Sequence, residues 1–199
     1  MKLEIKYNKT VLREFQTKLK VRERALPTLK NKEAALRAMV LETRKQLDEA
    51  VHMLRVQLTR IEPWKPLWNE FDDSLLQVRQ VNVSRTKIAG ILIPRFEELE
   101  TVLKEFPLTL YPDWFSEGIP ELQKLLEATA RREVLEERLR MLEQARKKAT
   151  QKVNLYEKVQ IPALESAIRQ IKRYLEDEDN LSKASQKLLK TKMQKTAQL

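Results

Sequence analysis

The chain has 199 residues, of which 34% are charged and 6% are aromatic, and its formal net charge is +10. With two glycines and no cysteine, this composition suits long helices and excludes disulfides and thiolate metal sites. No apolar run reaches the ~18 residues of a membrane span, and the N-terminus lacks the apolar core of a secretory signal, so we expect a soluble, intracellular protein.

Positive charge is concentrated at the two ends of the chain. Residues 1–24 carry eight lysines and arginines against three glutamates, and five lysines follow Asn180 without any acidic residue. Basic ends of this kind indicate an acidic partner, which would be nucleic acid, an anionic lipid surface or an acidic protein cavity.

The first predicted element is a long helix over residues 8–62, which begins near Asn8 or Thr10 as the N-cap and ends before Pro63. One heptad position along it is apolar at Leu12, Leu19, Leu26, Val40, Leu47, Leu54 and Ile61. This narrow stripe predicts a coiled-coil seam. Because Pro27 has no N–H to donate to Glu23, the sequence predicts either a kink near residues 23–27 or a helix that starts after Pro27.

A compact insert over residues 63–119 follows, and it holds both glycines and all three tryptophans. Its β-branched residues predict a β-hairpin near residues 78–94, with the turn at Ala89-Gly90 and Pro94 at a strand end or edge. Residues 97–106 fit either a continued strand or a helix, and residues 113–117 predict one helical turn that ends at Gly118. Trp64, Trp68 and Phe71 are expected to pack the insert against the long helices, with a partner-binding patch as the alternative.

A second long helix is predicted over residues 120–180, with Pro120 at its first position. Its apolar stripe shifts frame at Pro162, where we expect a local bend or a skipped hydrogen bond. The acidic run 176–179 is expected to end the buried part of this helix. Residues 181–199 are predicted to form a basic tail, either a frayed helix or a segment ordered by a partner.

These elements predict a mainly α fold, a long antiparallel two-helix coiled coil formed by the N- and C-terminal segments with a small central insert that contains a β-hairpin. The predicted helix seam includes Leu47, Leu54, Leu139, Leu142, Val153 and Ile168. In this arrangement both basic ends lie at one tip. That placement predicts a docking role for Lys9, Arg13, Lys187 and Lys190.

The sequence shows no catalytic apparatus. It has no glycine-rich phosphate loop, and the sole histidine, His52, is expected on a helix surface rather than at a metal or a base position. The acidic run 176–179 lacks the glycine spacing of a calcium loop, so we interpret it as a solvated helix end. We therefore predict no catalytic residues, no metal and no cofactor.

Three segments resemble the D subunit of V-type ATPases. Residues 153–165, with Asn154, Ile161 and Pro162, closely resemble the C-terminal signature of that family. Residues 88–94, with Gly90 and Pro94, resemble its central hairpin, and residues 8–10 with 29–32 resemble its N-terminal pattern. The order and spacing of these segments extend the resemblance over nearly the whole chain, although residues 96–120 match nothing in the family pattern.

The resemblance implies a central-stalk rotor subunit, which transmits torque between ATP turnover in a catalytic head and ion translocation, including hydrogen ion transport, in a membrane ring. It implies ATP synthesis or hydrolysis by the complex, coupled to the movement of protons or sodium ions, with no catalysis by this chain. The implied partners are the catalytic and regulatory head subunits, the F subunit and a membrane-ring adaptor, without nucleic acid or direct membrane insertion. The implied location is cytoplasmic and peripheral to the membrane. The alternative is a basic coiled-coil scaffold or nucleic-acid-binding protein, whose DNA binding would depend steeply on salt.

Overall fold

The computed structural model describes residues 5–72, 74–105, 107 and 111–196. In chain order the elements are helix α1 (Lys9–Ile61), a 3-10 helix (Glu62–Glu70), strands β1 (Leu76–Ile88) and β2 (Ile91–Leu103), helix α2 (Phe115–Asn154), a π-helical turn (Leu155–Gln160) and helix α3 (Ile161–Thr196). The fold is mainly helical with a two-stranded antiparallel hairpin, as predicted. Its contacts divide the chain into two compact units, residues 1–31 with 149–199 and residues 32–148.

Helix α1 begins where the sequence predicts. The backbone N–H of Val11 donates to Asn8 Oδ1 at 2.7 Å, so Asn8 satisfies one of the free amides of the first turn. The helix then continues without a break through Pro27 for 53 residues, so the predicted alternative of a helix that starts after Pro27 is wrong. A proline inside a helix removes one backbone hydrogen bond, and the flanking Leu26 and Leu29 are partly buried here. A kink near residues 23–27 stays a prediction.

In the first unit, the N-terminal part of α1 packs antiparallel to α3. Phe15 is buried against Leu164, Ala167, Ile168 and Ile171 of α3. The ring centroids of Tyr7 and Tyr174 are 4.8 Å apart, whereas Arg22, further along α1, bonds Gln160, which comes earlier in the chain than Tyr174. Every side chain from residue 176 to 193 is exposed. The buried part of α3 therefore ends at the acidic run, as expected.

In the second unit, α1 packs against α2 and the hairpin lies on the helices. Leu36 of α1 and Leu142 of α2 are both fully buried, and an ion pair joins Arg44 to Glu143. Strand β2 contacts α2 through Thr101, which accepts a hydrogen bond from Gln123 at 3.1 Å. This hydrogen bond joins the β2 side of the hairpin to α2.

The hairpin is longer than the sequence predicted. Residues 97–103 continue the second strand, so the helical alternative for this stretch is wrong. The strands pair from Leu76 opposite Leu103 to Ile88 opposite Ile91, with register shifts after Val78 and Asn82. Most of β1 is exposed on both faces, and strands without a buried face show weak alternation in sequence.

The turn falls at Ala89-Gly90, as predicted. Both residues have positive φ, +49° at Ala89 and +84° at Gly90, which is the pattern of a type I′ turn. Glycine adopts this region freely, but a residue with a Cβ is strained there. Ala89 therefore holds local strain at the hairpin tip.

We expect Ala89→Asn to raise the free energy of unfolding by about 0.5–1 kcal/mol, because asparagine tolerates positive φ and asparagine-glycine is a preferred type I′ pair. Urea denaturation followed by circular dichroism measures the change. Ala89→Val is the control and is expected to destabilise, since a β-branched residue is least tolerated at positive φ. Equal changes in the free energy of unfolding in the two variants would contradict the conclusion that the backbone at Ala89 is strained.

Helix α2 begins earlier than predicted. It starts at Phe115, so Pro120 lies inside the helix and not at its first position, and Gly118 does not end a helical turn. The reason is burial: Phe115 and Ile119 are 0% and 3% exposed in one core cluster with Leu75. Extending the helix by five residues places these apolar side chains on its buried face. The division of the chain into four segments, 8–62, 63–119, 120–180 and 181–199, stays a prediction.

The helical backbone changes its hydrogen bonding directly before Pro162. Residues 155–160 form a π-helical turn, and the N–H of Ile161 donates to Tyr156 O, five residues earlier. Because the proline ring crowds the carbonyl four residues before it and has no N–H, a locally wider helix relieves the clash. This matches the expected irregularity at Pro162, and α3 continues to Thr196.

Candidate interaction surfaces

The C-terminal part of α3 is an exposed surface that mixes basic and apolar side chains. Lys187 and Lys190 are exposed on it. Large apolar side chains are exposed on the same stretch at Leu181, Leu188, Leu189 and Met193. Exposed apolar residues that share a surface with basic ones are typical of an interaction site.

The basic residues at the start of α1 lie at a different height along the axis of α3 from Lys187 and Lys190. Lys9 and Arg13 are exposed at the start of α1, near the Tyr7–Tyr174 contact. Lys187 is thirteen residues beyond Tyr174 in the same helix, which is about 20 Å along the axis. The four basic residues therefore form two groups, and their common docking role at one tip stays a prediction.

The predicted seam residues are unequally buried. Leu142 and Ile168 are buried, at 0% and 8% exposure, whereas Leu47, Leu54, Leu139 and Val153 are partly buried. The most deeply buried polar residue described on α1 is Thr43, at 0% exposure. Its hydroxyl has no hydrogen-bond partner among the described residues, so its burial is unfavourable for the stability of the second unit.

We expect Thr43→Val to raise the free energy of unfolding by about 1 kcal/mol, because it replaces a buried, unpaired hydroxyl by a methyl group of similar size. Thermal or urea unfolding measures the effect. Thr59→Val is the matched control, since Thr59 is exposed and its hydroxyl already donates to Arg55 O at 3.0 Å. The control is expected to change stability by less than about 0.5 kcal/mol. Destabilisation by Thr43→Val would contradict the interpretation.

The segment that carries the family resemblance forms the joint between α2 and α3. Asn154 is the last residue of α2, Ile161 is the first of α3, and Pro162 follows it. Three contacts hold the π turn between them to α1. Arg22 Nε donates to Gln160 Oε1 at 2.6 Å, the Arg22 guanidinium lies 5.9 Å from the Tyr156 ring centroid, and Lys30 pairs with Glu157 at 2.6 Å. The irregular turn is therefore fixed by side chains of α1.

The hairpin residues of the resemblance lie at the tip and on the strand that follows. A Cβ built on Gly90 would be 3.4 Å from Lys32 Nζ of α1, so the tip is close to that helix. Pro94 pairs opposite Arg85 and is partly buried. With two strands, both carry an unpaired edge, and Pro94 therefore satisfies the edge-strand expectation.

A cavity of about 790 Å³ lies between α1, α2 and the hairpin in the second unit. Its apolar wall includes Met53, Ile88, Ile93 and Val134. Four cationic side chains also line it: Arg95, Lys124, Arg131 and Arg138. The sequence alone does not reveal this site, because Arg95 and Arg138 are far apart in the chain and only the placement of the hairpin on α2 brings them to one cavity.

The cationic side chains of the cavity differ in the interactions that they make within the protein. Lys124 pairs with Glu121 at 2.6 Å, and Arg131 lies 5.9 Å from the Phe96 ring centroid. Arg138 forms no ion pair within the described residues, and its Nε is buried without a hydrogen-bond partner. Partial burial, and then the positive charge of Arg95, lower the pKa of Arg138, while Glu42 acts in the opposite direction.

Trp68 and Trp114 form an aromatic cluster with Phe71 and with Phe115, the first residue of α2. Trp68 contacts Phe71 and Trp114, with ring centroids 5.4 Å and 5.3 Å apart. Trp114 also contacts Phe115 at 4.6 Å. Edge-to-face contacts of this kind stabilise the local fold, so Trp68 packs the insert as expected, and Trp64 is partly buried nearby in sequence.

The structure offers no ready centre for metal chemistry in the described ranges. No group of three histidine, cysteine, aspartate or glutamate side chains there could hold a metal ion. His52 is exposed on α1. Within the same ranges, no helix has the length and apolar character needed to cross a membrane.

The fold and its surfaces define a class: a mainly helical protein in which two long helices pack against each other around a hairpin insert. A sequence profile of the ATP synthase D subunit family matches residues 11–191. The chain therefore belongs to the ATP synthase D subunit family, as the resemblance predicted.

Individual relatives agree with this assignment. The chain is 29% identical over 194 residues to the V-type ATP synthase D subunit of Borreliella burgdorferi, covering 96% of this chain and 95% of the relative. It is 27% identical over 199 residues to the V-type ATP synthase D subunit of Chlamydia muridarum, covering 98% of each. It is also 26% identical to that of Chlamydia pneumoniae, with 98% and 95% coverage.

Proposed function

We propose that this chain is the central-stalk rotor subunit of a V-type ATP synthase and transmits torque between ATP turnover in the head and ion translocation in the membrane. The observation that carries the proposal is α1, a single helix of 53 residues that contributes to both units and is packed against a second helix in each. A continuous, laterally supported helix resists twisting better than one interrupted by loops. Membership of the D subunit family supplies the complex in which such a helix would act.

The chain is proposed to do no bond chemistry itself. It would contact the catalytic and regulatory head subunits, an F subunit and a membrane-ring adaptor, and would be located in the cytoplasm at the membrane periphery. The exposed basic and apolar surface of α3 after Leu175 supports a docking role in the head. The exposed Lys9 and Arg13 add positive charge to the same unit.

Single-molecule rotation tests the proposal. Because the chain has no cysteine, Lys87→Cys on the exposed part of β1 gives one attachment point for a gold particle. With the soluble head fixed to a surface, the particle is expected to rotate when ATP is added and to stop when ATP is removed. ATP hydrolysis at the full rate without rotation of the particle, or coupled rotation of a head assembled without this chain, would refute the rotor role.

The head-docking residues need a separate test. Lys187→Glu with Lys190→Glu is expected to slow association with the head at low salt, because charged surface residues steer association. Lys45→Glu with Lys147→Glu is the matched control, since both lysines are exposed and the net charge change is the same. If both double variants slow association with the head equally, Lys187 and Lys190 have no specific role in docking.

A further inference from the structure

The cavity of the second unit is lined by more cationic than acidic side chains. Arg95, on β2, and Arg138, on α2, line the same cavity. Glu49 and Glu127 line it as well, but within the described residues neither of them forms an ion pair. Arg95 itself has one distant carboxylate contact, 3.9 Å from Glu97. Two guanidinium groups thus share a partly enclosed site without a carboxylate bound between them.

The polar groups in the wall of the cavity are incompletely paired. Arg138 Nε is a buried donor and Gln57 Oε1 a buried acceptor, and neither has a hydrogen-bond partner among the described residues. A buried donor that stays unpaired is unfavourable, more so on a charged group. An oxyanion in the cavity would pair with the terminal nitrogens of the Arg138 guanidinium, because the buried Nε is closed to the cavity and planar guanidinium groups bind phosphate and carboxylate oxygens through paired hydrogen bonds.

The rest of the wall limits the class of ligand. The volume of about 790 Å³ is larger than a bare inorganic ion needs and lies in the usual range of small-molecule sites. Met53, Ile88, Ile93 and Val134 form an apolar surface beside the arginines. A ligand with an anionic group and a partly apolar body fits both features.

We propose that this cavity binds a free organic oxyanion, of the phosphate-ester class, with its anionic group between Arg95 and Arg138 and its body against the apolar wall. Such a ligand would tie β2 to α2 and thereby stabilise the second unit. The site is independent of the proposed rotor role, because it needs only residues of the second unit.

The test is a titration of the full-length chain with phenyl phosphate, inorganic phosphate and phenol at constant ionic strength. The Nε–Hε resonance of Arg138 is followed by NMR, with thermal unfolding as a second measurement. Phenyl phosphate is expected to shift the Arg138 resonance and to raise the unfolding temperature, since a ligand that binds the native state stabilises it. Inorganic phosphate should bind more weakly, and phenol should leave the Arg138 resonance unchanged.

Two variants and one control identify the site. Arg138→Gln and Arg95→Gln are each expected to weaken phenyl phosphate binding by about tenfold or more, because each removes a charged hydrogen-bond donor. Arg79→Gln changes the same charge on an exposed side chain of β1 outside the cavity and should leave the affinity within about twofold. If Arg138→Gln does not fold, Arg95→Gln alone decides the question.

Three results would overturn the proposal. The first is an unchanged Arg138 resonance at millimolar phenyl phosphate. The second is an equal loss of affinity in Arg79→Gln and Arg95→Gln, which would show nonspecific attraction to a basic surface. The third is equal binding of phenol and phenyl phosphate, which would show an apolar cavity without an anion site.

Discussion

Replacing Leu36 with alanine is expected to lower the free energy of unfolding by about 2–5 kcal/mol. Leu36 is 0% exposed in the second unit, on the face of α1 that also buries Val40 and Thr43. Alanine would leave a cavity there, and the loss would combine the transfer energy of the removed methyl groups with unfilled space. Urea denaturation of the full-length chain, followed at the helical circular dichroism band, measures the change.

Leu41→Ala is the matched control for this prediction. Leu41 lies on the same helix five residues further on, and it is 63% exposed. Since both substitutions exchange leucine for alanine in one helix, helix propensity contributes almost equally to each, and the difference between them reports burial. We expect the control to change stability by less than about 0.5 kcal/mol. Similar losses in both variants would contradict the seam between α1 and α2.

The long helices could be predicted because their buried positions follow one repeat. Val40 and Ile61 fall on the apolar heptad position of α1, and both are buried. The repeat also crosses Pro27 without a change of frame, which is why the helix continues there. A single lost hydrogen bond is local, whereas the buried face extends along the whole helix.

The start of α2 and the length of the hairpin could not be read from local signals. Glycine and proline usually mark helix boundaries, but Gly118 and Pro120 lie inside α2 because Phe115 and Ile119 are buried in contacts distant in sequence. The middle of β2 has two consecutive glutamates, Glu97 and Glu98, which are uncommon in strands, so the sequence does not show that the strand continues to Leu103. In both cases tertiary contacts override the local preference.

The candidate surfaces divide in the same way. The basic residues at the two ends of the chain can be recognised from the sequence, because they are close together along the chain. The Arg95–Arg138 site cannot, since β2 and α2 meet there only after the hairpin folds back on the helices. The sequence feature that comes nearest to indicating the Arg95–Arg138 site is the number of arginines on α2. That number is equally typical of an ordinary solvent-exposed helix face, so it does not identify a site.

The second large effect is expected at Gly118, where helix propensity and side-chain packing predict changes in stability of opposite sign. Helix propensity alone predicts that Gly118→Ala inside α2 stabilises the protein by about 1 kcal/mol. The structure predicts the reverse, because a Cβ at this position would lie 2.7 Å from the Trp114 ring. That ring cannot move freely, since Trp68 and Phe115 contact it at 5.3 Å and 4.6 Å between ring centroids.

We therefore expect Gly118→Ala to destabilise the chain by about 1–3 kcal/mol, the usual range for an overfilled site. The double-mutant cycle with Trp114→Leu separates the two effects. In the Trp114→Leu background the obstructing ring is absent, so the same Gly118→Ala change should be neutral or stabilising, by up to about 1 kcal/mol. Urea denaturation of the four proteins measures the coupling. Destabilisation of equal size in both backgrounds would show that backbone conformation, and not the aromatic cluster, requires glycine at the start of α2.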